Sequence, residues 1–466
     1  MMMNARNSSA GENPAKRMLL VSYLFPPIGG GGVPRPLKMA KYLAESGWEV
    51  HVLTAPDVYH ATRDNSLLKE LPANVIVHRA KEFNLIKSMR PVQAETPKKN
   101  ASSSGGAQAS GVKRLIKQQV VPVLKKVKNT LTIPDDMIGW LPDAVKVGEE
   151  VIRKYNIPVM FSTSGPYTCH LVARKLKRKT GIKWIADFRD PWTQNMHRSG
   201  VAWREAWEER MERSVMAESD AVTTVTHGFA ANFTKKFARE IKRIEVIHNG
   251  FDPEDYRHIE EPPQDGKFTL AYPGIFYKER NPRLLLQAVA ELIEEGKIDR
   301  QQLKLQFAGV FDYPGYTDNM DAVHRLRLED VVEVMGNLPH KQALSMMKGA
   351  DVLMLIGDTA PGSGVYIPGK LYEYMAIGHP ILALSVEGES TNIIRKFELG
   401  EVVNPLDKQE IKRAFLKQYE EWKRDKTGDK ERGNDIMQRA EDGDLAIYNR
   451  RIQAQMLGEL MDELIR

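Results

Sequence analysis

Short apolar runs alternate with longer segments of helical periodicity along this 466-residue chain, and the whole pattern occurs twice. In the first half the runs are MLLVSYLF (18–25), WEVHVLTA (48–55), VIVHRA (75–80), VMFSTS (159–164), WIADF (184–188) and AVTTVT (221–226). In the second half they are FTLAYPG (268–274), LKLQFAGV (303–310), VVEVMG (331–336), DVLMLIG (351–357) and PILALS (380–385). Runs that are apolar on both faces and separated by helices indicate parallel strands covered on both sides. The sequence therefore predicts two doubly wound α/β domains with parallel sheets.

A polar junction, HNGFDPEDYRHIEEPPQDGK, separates the two sets of strands and places a domain boundary near Tyr256. The predicted organisation is a disordered N-terminus (1–16), a first domain (17–256), a second domain (257–440) and a C-terminal helix (441–466). That helix is expected to pack back on the first domain. Inside the first domain, the Ser/Gly/Ala-rich residues 95–111 cannot bury enough apolar surface to order themselves, and we predict a disordered loop there.

The charge of the chain is concentrated in one segment. The net charge is +6, and residues 95–128 alone carry eight basic side chains and one acidic one, a net +7. The remainder is close to neutral, which argues against a nucleic-acid partner. Cys169 is the single cysteine, and we find neither an apolar run of membrane-spanning length nor a signal-peptide pattern. These features predict a cytoplasmic protein.

The basic segment 112–131 has an apolar stripe opposite its lysines. Basic amphipathic helices bind anionic membrane surfaces, so the segment could attach the protein to the inner face of the cell membrane. The alternative is a surface helix that packs on its own domain. Both interpretations stay open at this point.

Four consecutive glycines, Gly29 to Gly32, stand where the first strand passes into the first helix. In open parallel sheets this junction lies at the carboxyl edge, where ligands bind, and a helix N-terminus there suits a phosphate. We therefore predict that Gly30, Gly31 and Gly32 let the backbone approach a bound phosphate. The alternative is a tight turn without a ligand. The dinucleotide fingerprint is not matched, which disfavours a nicotinamide enzyme.

The second domain has a comparable junction in GSGVYIPGKLYEYMAIGHPILAL (362–384). A helix is predicted to begin just after Pro368 and Gly369, with Lys370 in its first turn and Glu373 on the same face. Lys370 would meet a phosphate and Glu373 would accept hydrogen bonds from ribose hydroxyls. The alternative is a surface ion pair between the two side chains, worth a few tenths of a kcal/mol.

Another pair of cations, Lys278 and Arg280, follows the glycine turn in YPGIFYKERNP. The turn comes directly after the strand 268–274, so it is expected at the same carboxyl edge as Lys370. The convergence of these cations on one helix N-terminus predicts a diphosphate site.

These motifs resemble those of the GT-B glycosyltransferases, specifically glycosyltransferase family 4. The resemblance runs from Met18 to the C-terminus, apart from 95–111. It rests on the glycine loop, DFRDPW (187–192), ESDAVTTVT (218–226), VIHNGFD (246–252), YPGIFYKERNP and PGKLYEYMAIGHPILA. It implies two Rossmann-like domains facing a cleft, with the acceptor bound by the first domain and a nucleotide-sugar by the second. Transfer with retention, without a metal or a cofactor, is implied as well.

The resemblance also implies roles for individual residues, and Gly30, Gly31 and Gly32 are expected to meet the phosphate and sugar of the donor. Arg280 matches the basic residue that holds the donor diphosphate, and Glu373 matches the glutamate on the ribose. An arginine usual after the glycine is replaced by Ile275, and a glutamate that faces the donor sugar in many members is replaced by Val365. In the subgroup with the P-x-K-x-x-E-Y-M pattern, Lys370 is expected to neutralise the diphosphate.

In the first domain, Arg189 occupies the position of a histidine that lies near the transferred sugar in many relatives. Arginine is no base at neutral pH, so a clamp on an anionic or hydroxyl-rich group is expected. Asp187 and Asp190 are candidate acceptor contacts, and Ser164 and Gly165 are expected on the acceptor side. The alternatives are a strand-end network in which Arg189 pairs with an aspartate, and a simple helix N-cap at Ser164.

The expected function is transfer of a sugar from a nucleotide-sugar donor to a glycan or lipid-linked acceptor in surface polysaccharide biosynthesis. One alternative is a nucleotide-sugar 2-epimerase of the same fold, which needs no acceptor. Another is a catalytically inactive nucleotide-sugar-binding protein or membrane adaptor. The base, the sugar and the linkage are not determined by these motifs.

Overall fold

The structure is a computed structural model, and it describes residues 16–56, 63–83, 132–195, 198–277, 280–425 and 432–466. The N-terminal residues 1–15, the predicted loop 95–111, the basic segment 112–131 and Lys278 lie outside the described residues. The chain divides into two compact units. The first comprises residues 1–223, 236–245 and 458–466, and the second comprises 224–235 and 246–457. The predicted boundary near Tyr256 therefore falls within the second unit.

One sheet contains β1 (Arg17–Val21), β2 (Glu49–Thr54), β3 (Val75–Arg79), β4 (Val159–Thr163), β5 (Lys183–Phe188), β6 (Ala221–Thr224) and β7 (Ile244–Val246). Its strand order is β3-β2-β1-β4-β5-β6-β7. β1 pairs in parallel with β2 on one side, through Leu19 and His51, and with β4 on the other, through Leu19 and Met160. The order of the strands reverses between β1 and β4, which makes this the topological switch point of the sheet.

The second unit contains β8 (Phe268–Pro273), β9 (Leu303–Ala308), β10 (Val332–Gly336), β11 (Val352–Ile356), β12 (Ile381–Leu384) and β13 (Gly400–Val403). They form a parallel sheet of order β10-β9-β8-β11-β12-β13, with its switch point between β8 and β11. The two sheets confirm the two doubly wound α/β domains that the sequence predicts.

Helices connect the strands. In the first part of the chain they are α1 (Pro34–Glu45), α2 (Leu141–Tyr155), α3 (Thr168–Thr180), α4 (Ala202–Glu218) and α5 (His227–Lys236). They continue as α6 (Arg283–Glu294), α7 (Asp318–Arg325), α8 (His340–Lys348), α9 (Gly369–Ile377), α10 (Glu389–Lys396), α11 (Lys408–Asp425), α12 (Arg432–Glu441) and α13 (Arg450–Ile465).

The alternation of side chains along the strands explains why each sheet is buried on both faces. In β8, Leu270 belongs to one apolar cluster and the next residue, Ala271, to a second cluster on the opposite face. In β11, Met354 and Leu355 divide between the same two clusters. A strand with two apolar faces is stable only when helices cover both sides, which leaves the ends of the strands for ligands.

The last helix, α13, ends in the first unit, as expected from the sequence. Residues 458–466 belong to the first unit, where Lys16 pairs with Asp462 at 2.5 Å and Arg243 pairs with Glu463 at 2.5 Å. A Cβ on Gly458 would lie 3.4 Å from the indole nitrogen of Trp48. Glycine at this position therefore lets α13 approach the tryptophan closely.

Candidate functional site

The loops after β8 and β11 flank the switch point of the second unit, and both carry residues of the predicted diphosphate site. β8 ends at Pro273 and is followed by Gly274, while the loop after β11 leads to α9 at Gly369. Helix α9 begins just after Pro368, as predicted. Its first backbone N–H groups have no partner within the helix, as at every helix N-terminus.

Gly274 brings the backbone against Lys370. A Cβ at Gly274 would lie 2.8 Å from Cε and 2.9 Å from Nζ of Lys370, closer than carbon atoms tolerate. Gly309, at φ +107°, is packed in turn against Gly274, since a Cβ there would lie 2.2 Å from the Gly274 carbonyl oxygen. The glycine turn after β8 is therefore needed for the lysine to reach this position.

Lys370 is a half-buried cation. Its Nζ lies 5.6 Å from the centre of the Tyr272 ring, and it makes no ion pair or hydrogen bond to any group in the described residues. Burial lowers the pKa of Lys370 below its ordinary value of 10.5; the carboxylate of Glu373 opposes this shift, and the charge of Arg280 adds to it. A partly buried cation that has neither an ion pair nor a hydrogen bond within the described residues is costly, and such groups cluster at binding sites for anions.

Glu373 lies half-buried on the same helix. Burial raises the pKa of its carboxyl group, and the charges of His340 and Lys370 partly oppose that shift. The alternative of a surface ion pair is not realised, because Glu373 and Lys370 form no salt bridge in the described part of the chain. Two opposite charges thus stand close together in a partly buried place, each with free hydrogen-bonding capacity.

Arg280 completes the cationic side of this cluster. Its Nε lies 4.0 Å from Oδ2 of Asp358, a long and partly exposed pair, and its guanidinium group lies 4.8 Å from the centre of the Tyr277 ring. Asp358 follows β11, and the sequence analysis did not identify it as a site residue. Its position directly after a predicted strand could have indicated that it lies at the carboxyl edge of the sheet. The charge of Arg280 contributes to the lowered pKa of Lys370, so the two predicted diphosphate residues lie within electrostatic range of each other.

In the first unit, the glycine loop lies next to the switch point between β1 and β4. Gly30 has φ +104°, which favours glycine, and Gly31 is exposed with open space around its α-carbon. A Cβ on Gly32 would lie 2.5 Å from Cδ1 of Leu24. The turn therefore needs glycine at two positions for its own geometry, while Gly31 is free for a ligand to approach.

Arg189 ties this loop to its neighbour. Its Nη1 donates to the Gly32 carbonyl at 2.8 Å, its Nε donates to the Ser164 carbonyl, and its backbone N–H donates to Ser164 Oγ at 3.1 Å. No ion pair joins Arg189 to an aspartate in the described residues, so the alternative of a strand-end pair between Arg189 and an aspartate is not realised. The guanidinium is largely occupied by backbone carbonyls, which makes Arg189 a positioning residue for the loops after β1 and β4.

Asp187 is fully buried and fully occupied. It accepts hydrogen bonds from Arg35 Nη2 at 2.8 Å and Nε at 3.0 Å, and from the hydroxyls of Thr163 at 2.7 Å and Thr223 at 2.8 Å. Burial alone would raise the pKa of Asp187, but the charge and hydrogen bonds of Arg35 hold it below the ordinary value. The buried position of Asp187 thus argues against a catalytic contact with an acceptor. Asp190 is exposed and therefore remains a candidate for contact with acceptor hydroxyls.

Ser164 is buried, and its Oγ accepts from Arg189 instead of capping the next helix. The cap is Asp135, whose carboxylate accepts from the backbone N–H of Thr168 at 3.0 Å and from its hydroxyl at 2.7 Å. The N-cap alternative for Ser164 is therefore wrong. Asp135 lies 33 positions before Thr168 in the sequence, too far for a local capping pattern to show. Gly165 follows Ser164, and a Cβ there would lie 3.2 Å from Nη2 of Arg189.

In the described part of the chain, no three His, Cys, Asp or Glu side chains converge in the manner of metal ligands. Among the helices of the described residues, none is both long enough and apolar enough to cross a membrane.

Comparison with known protein families assigns both halves of the chain. The model described as glycosyl transferase 4-like domain matches residues 30–250, and the model described as glycosyl transferases group 1 matches residues 254–432. The chain belongs to the GT-B glycosyltransferases. Within this glycosyltransferase, the second model covers Lys370, Glu373 and Arg280, and the first covers the glycine loop and Arg189.

Individual relatives are distant. A 2-deoxystreptamine glucosyltransferase of Streptomyces kanamyceticus is 26% identical over 188 residues, which are 38% of this chain and 46% of that protein. The chain thus aligns with less than half the length of this curated relative. Sucrose-phosphate synthase of Thermosynechococcus elongatus has a TM-score of 0.58 at 17% identity, over 96% of this chain and 99% of that one. HepE of Anabaena, solved with UDP and glucose, has a TM-score of 0.55 at 14% identity, over 96% and 100%. Such solved structures show the GT-B fold alone.

Substituting Gly274 tests the close approach to Lys370. The Gly274→Ala variant is expected to displace the lysine and to weaken binding of nucleoside diphosphates about tenfold, because the new methyl group would clash with Cε and Nζ of Lys370 at 2.8 and 2.9 Å. Isothermal titration calorimetry measures this. The effects of Gly274→Ala and Lys370→Ala should be clearly non-additive in the double variant, since both act through the same amine. Full additivity would contradict the interpretation.

Proposed function

We propose that this glycosyltransferase binds a nucleoside diphosphate sugar at the carboxyl edge of the second-unit sheet and transfers the sugar to a glycan or lipid-linked acceptor. One observation carries the proposal: Lys370 and Glu373 are half-buried charges on one helix, and neither has an ion-pair partner in the described residues. Keeping charges in that state is costly unless a ligand completes them.

The diphosphate is the part of the donor that the cations would recognise. Lys370 stands in the first turn of α9, so its ammonium group and the free N–H groups of the helix favour the same anion. Arg280 adds a second cation within electrostatic range of the first. Two cations and a helix N-terminus match the two negative phosphates of a nucleoside diphosphate.

Glu373 supplies a hydrogen-bond acceptor for the ribose part of the donor. A carboxylate that accepts no hydrogen bond from the described residues can accept two from the vicinal hydroxyls of a ribose. Its place one turn further along α9 than Lys370 fits a nucleoside whose ribose lies beside its own diphosphate. The pKa of Glu373 is raised by burial, and hydroxyl donors from a ribose would lower it again, so binding and ionisation would support each other.

The relatives support this donor class. The solved HepE structure contains UDP and glucose, and the relative in Streptomyces kanamyceticus carries the name of a glucosyltransferase. For the reaction itself, the bond between the anomeric carbon and the phosphate oxygen breaks as the acceptor oxygen bonds to that carbon. Negative charge then develops on the diphosphate, where Lys370 and Arg280 would stabilise it.

We further propose that transfer proceeds with retention, with a phosphate oxygen of the donor receiving the acceptor proton, and without a catalytic metal. A role in surface polysaccharide biosynthesis and attachment to an anionic membrane through 112–131 remain part of the proposal. The basic composition of that segment is what supports the membrane part.

A thermal-shift screen of the full chain against UDP, GDP and ADP tests the donor site. We expect one of them to raise the melting temperature, because a ligand that binds only the folded state stabilises it by mass action. The donor sugar of that nucleotide is then incubated with and without candidate acceptors, and products are analysed by mass spectrometry. Transfer to an acceptor supports the proposal. Epimerised donor without an acceptor, or no turnover, would favour the epimerase or the adaptor, and no shift with any nucleotide would refute the site.

A further inference from the structure

Exposed aromatic side chains form a patch beside the proposed diphosphate site. Tyr277 is 41% exposed, Tyr313 is 51% exposed and Tyr316 is 49% exposed, and Ile275 next to them is 40% exposed. They belong to the loops that follow β8 and β9, both at the carboxyl edge of the second-unit sheet. Large apolar groups in solvent are unfavourable, and a cluster of them at a ligand-binding edge indicates a contact surface.

The patch stands on a well-packed base. The backbone N–H of Phe276 donates to the Val310 carbonyl at 3.0 Å, which joins the two loops. Phe276 and Phe311 are buried beneath, with ring centres 5.6 Å apart in an edge-to-face arrangement. Each loop thus turns one aromatic ring into the core and the following tyrosine outward.

The outer end of the second loop is also held in place. The carboxylate of Asp312 accepts from the backbone N–H groups of Asn319 and Met320, both at 3.0 Å, and so caps α7. The side-chain amide of Asn319 donates to the Phe311 carbonyl at 2.6 Å. The backbone N–H of Tyr316 donates to the Tyr313 carbonyl at 2.9 Å, which closes the turn that carries both tyrosines. The rings are therefore presented by a hydrogen-bonded loop.

The rings are oriented toward each other and toward the diphosphate residues. The centres of the Tyr277 and Tyr313 rings are 6.1 Å apart with an interplanar angle of 34°. The guanidinium of Arg280 lies over one face of the Tyr277 ring, 4.8 Å from its centre, so a sugar would have to stack on the other face. A ligand on the tyrosine patch would therefore adjoin a phosphate held by Arg280.

We propose that Tyr277 and Tyr313 form a stacking surface for the apolar face of a pyranose ring, with Tyr316 extending it. A pyranose carries axial C–H groups on one face, and these carry partial positive charge that suits the negative face of an aromatic ring. The phenol hydroxyls at the ring edges can bond to the equatorial hydroxyls of the same sugar. The inference rests on the proposed function, since a sugar must be brought to this edge.

The pyranose has two sources, the sugar of the donor and a sugar of the acceptor. A donor sugar is attached to the diphosphate and would engage Tyr277 beside Arg280. An acceptor sugar arrives independently of the nucleotide. The chemistry of the surface is the same in both cases, so the experiment has to separate them.

The first measurement is saturation-transfer difference NMR on the full chain with methyl glycosides of glucose, galactose, mannose and N-acetylglucosamine. We expect signals from the ring C–H protons of at least one glycoside, reduced about fivefold in the Tyr277→Ala/Tyr313→Ala variant. The Tyr277→Phe/Tyr313→Phe variant keeps both rings and loses only the hydroxyls, and as the matched control it should retain most of the wild-type signal. Equal signals in the alanine and wild-type proteins, or none in wild type, would overturn the proposal.

The second measurement separates the sources. The affinity for the nucleoside diphosphate found in the screen is compared with the affinity for the corresponding nucleotide-sugars. Loss of affinity for a nucleotide-sugar alone in the alanine variant assigns the surface to the donor. Unchanged donor affinity together with a lost glycoside signal assigns it to the acceptor. Nucleotide binding tests the diphosphate site by itself, so its failure and the failure of the stacking surface are distinguishable.

Discussion

Replacing Lys370 by alanine is expected to lower the affinity for the nucleoside diphosphate, and kcat/KM for transfer, by about 100-fold. The amine is half-buried at the first turn of α9, without a partner among the described residues and within reach of Arg280. Removing it leaves the developing charge of the leaving diphosphate with one cation fewer in a partly desolvated place. Calorimetry with the nucleotide and initial-rate kinetics measure the two effects.

Two variants in the first unit serve as controls for the loss of a charge, and a variant of Glu373 on α9 separates the ribose contact from the diphosphate contact. Lys175→Ala and Glu150→Ala remove exposed charges from α3 and α2 and should leave nucleotide affinity unchanged. Glu373→Ala should lower the affinity for the nucleoside diphosphate about tenfold. The affinity for inorganic pyrophosphate, which has no ribose, should stay the same. Unaltered nucleotide affinity in both the Lys370 and Glu373 variants would show that the donor lies elsewhere.

The second large effect is on stability. Arg35→Met is expected to destabilise the first unit by about 3–5 kcal/mol, because it leaves the carboxylate of Asp187 buried without its cation. The ion pair joins α1 to the end of β5, and both side chains are almost completely buried. The melting temperature of that unit should fall by about 10 °C in differential scanning calorimetry.

A second substitution tests the cause of that loss. In Arg35→Met/Asp187→Asn both charges are gone, while the amide oxygen still accepts from one of the hydroxyls of Thr163 and Thr223 and the amide NH2 can donate to the other. This double variant is expected to recover at least half of the lost stability. Arg153→Met, which breaks an exposed pair with Glu149 on α2, should leave the melting temperature nearly unchanged. If the double variant is as unstable as Arg35→Met alone, lost packing and not the unpaired charge is responsible.

The central strands could be predicted from the sequence because almost all of their residues are buried and most of them are apolar. Residues 159–163 are buried on both faces, and so are the central residues of β8 and β11. Continuous apolar runs of that length are typical of strands in the middle of a covered parallel sheet. The predicted ends were too long, as at Phe25, because the chain stays buried for several residues after the strand ends at Val21.

Two strands at sheet edges were missed. β7 (Ile244–Val246) is three residues long and half-buried, and β13 (Gly400–Val403) begins with Gly-Glu. An edge strand is covered on fewer sides, so it needs neither a long nor a purely apolar run. Its pairing depends on the neighbouring strand, which a local pattern does not contain.

The amino-acid sequence by itself determined the two doubly wound sheets, the glycine turns at their switch points and the presence of Lys370, Glu373 and Arg280 at one carboxyl edge. These follow from local periodicity and from the rule that loops after parallel strands meet at one edge. Only the tertiary structure decided which charged side chains have ion-pair or hydrogen-bond partners within the protein. Arg189 is bound to backbone carbonyls, Asp187 is paired with Arg35 across 152 positions, and Lys370 is left without a partner among the described residues. Partners so distant in the chain depend on how strands and helices pack, and no spacing along the sequence encodes them.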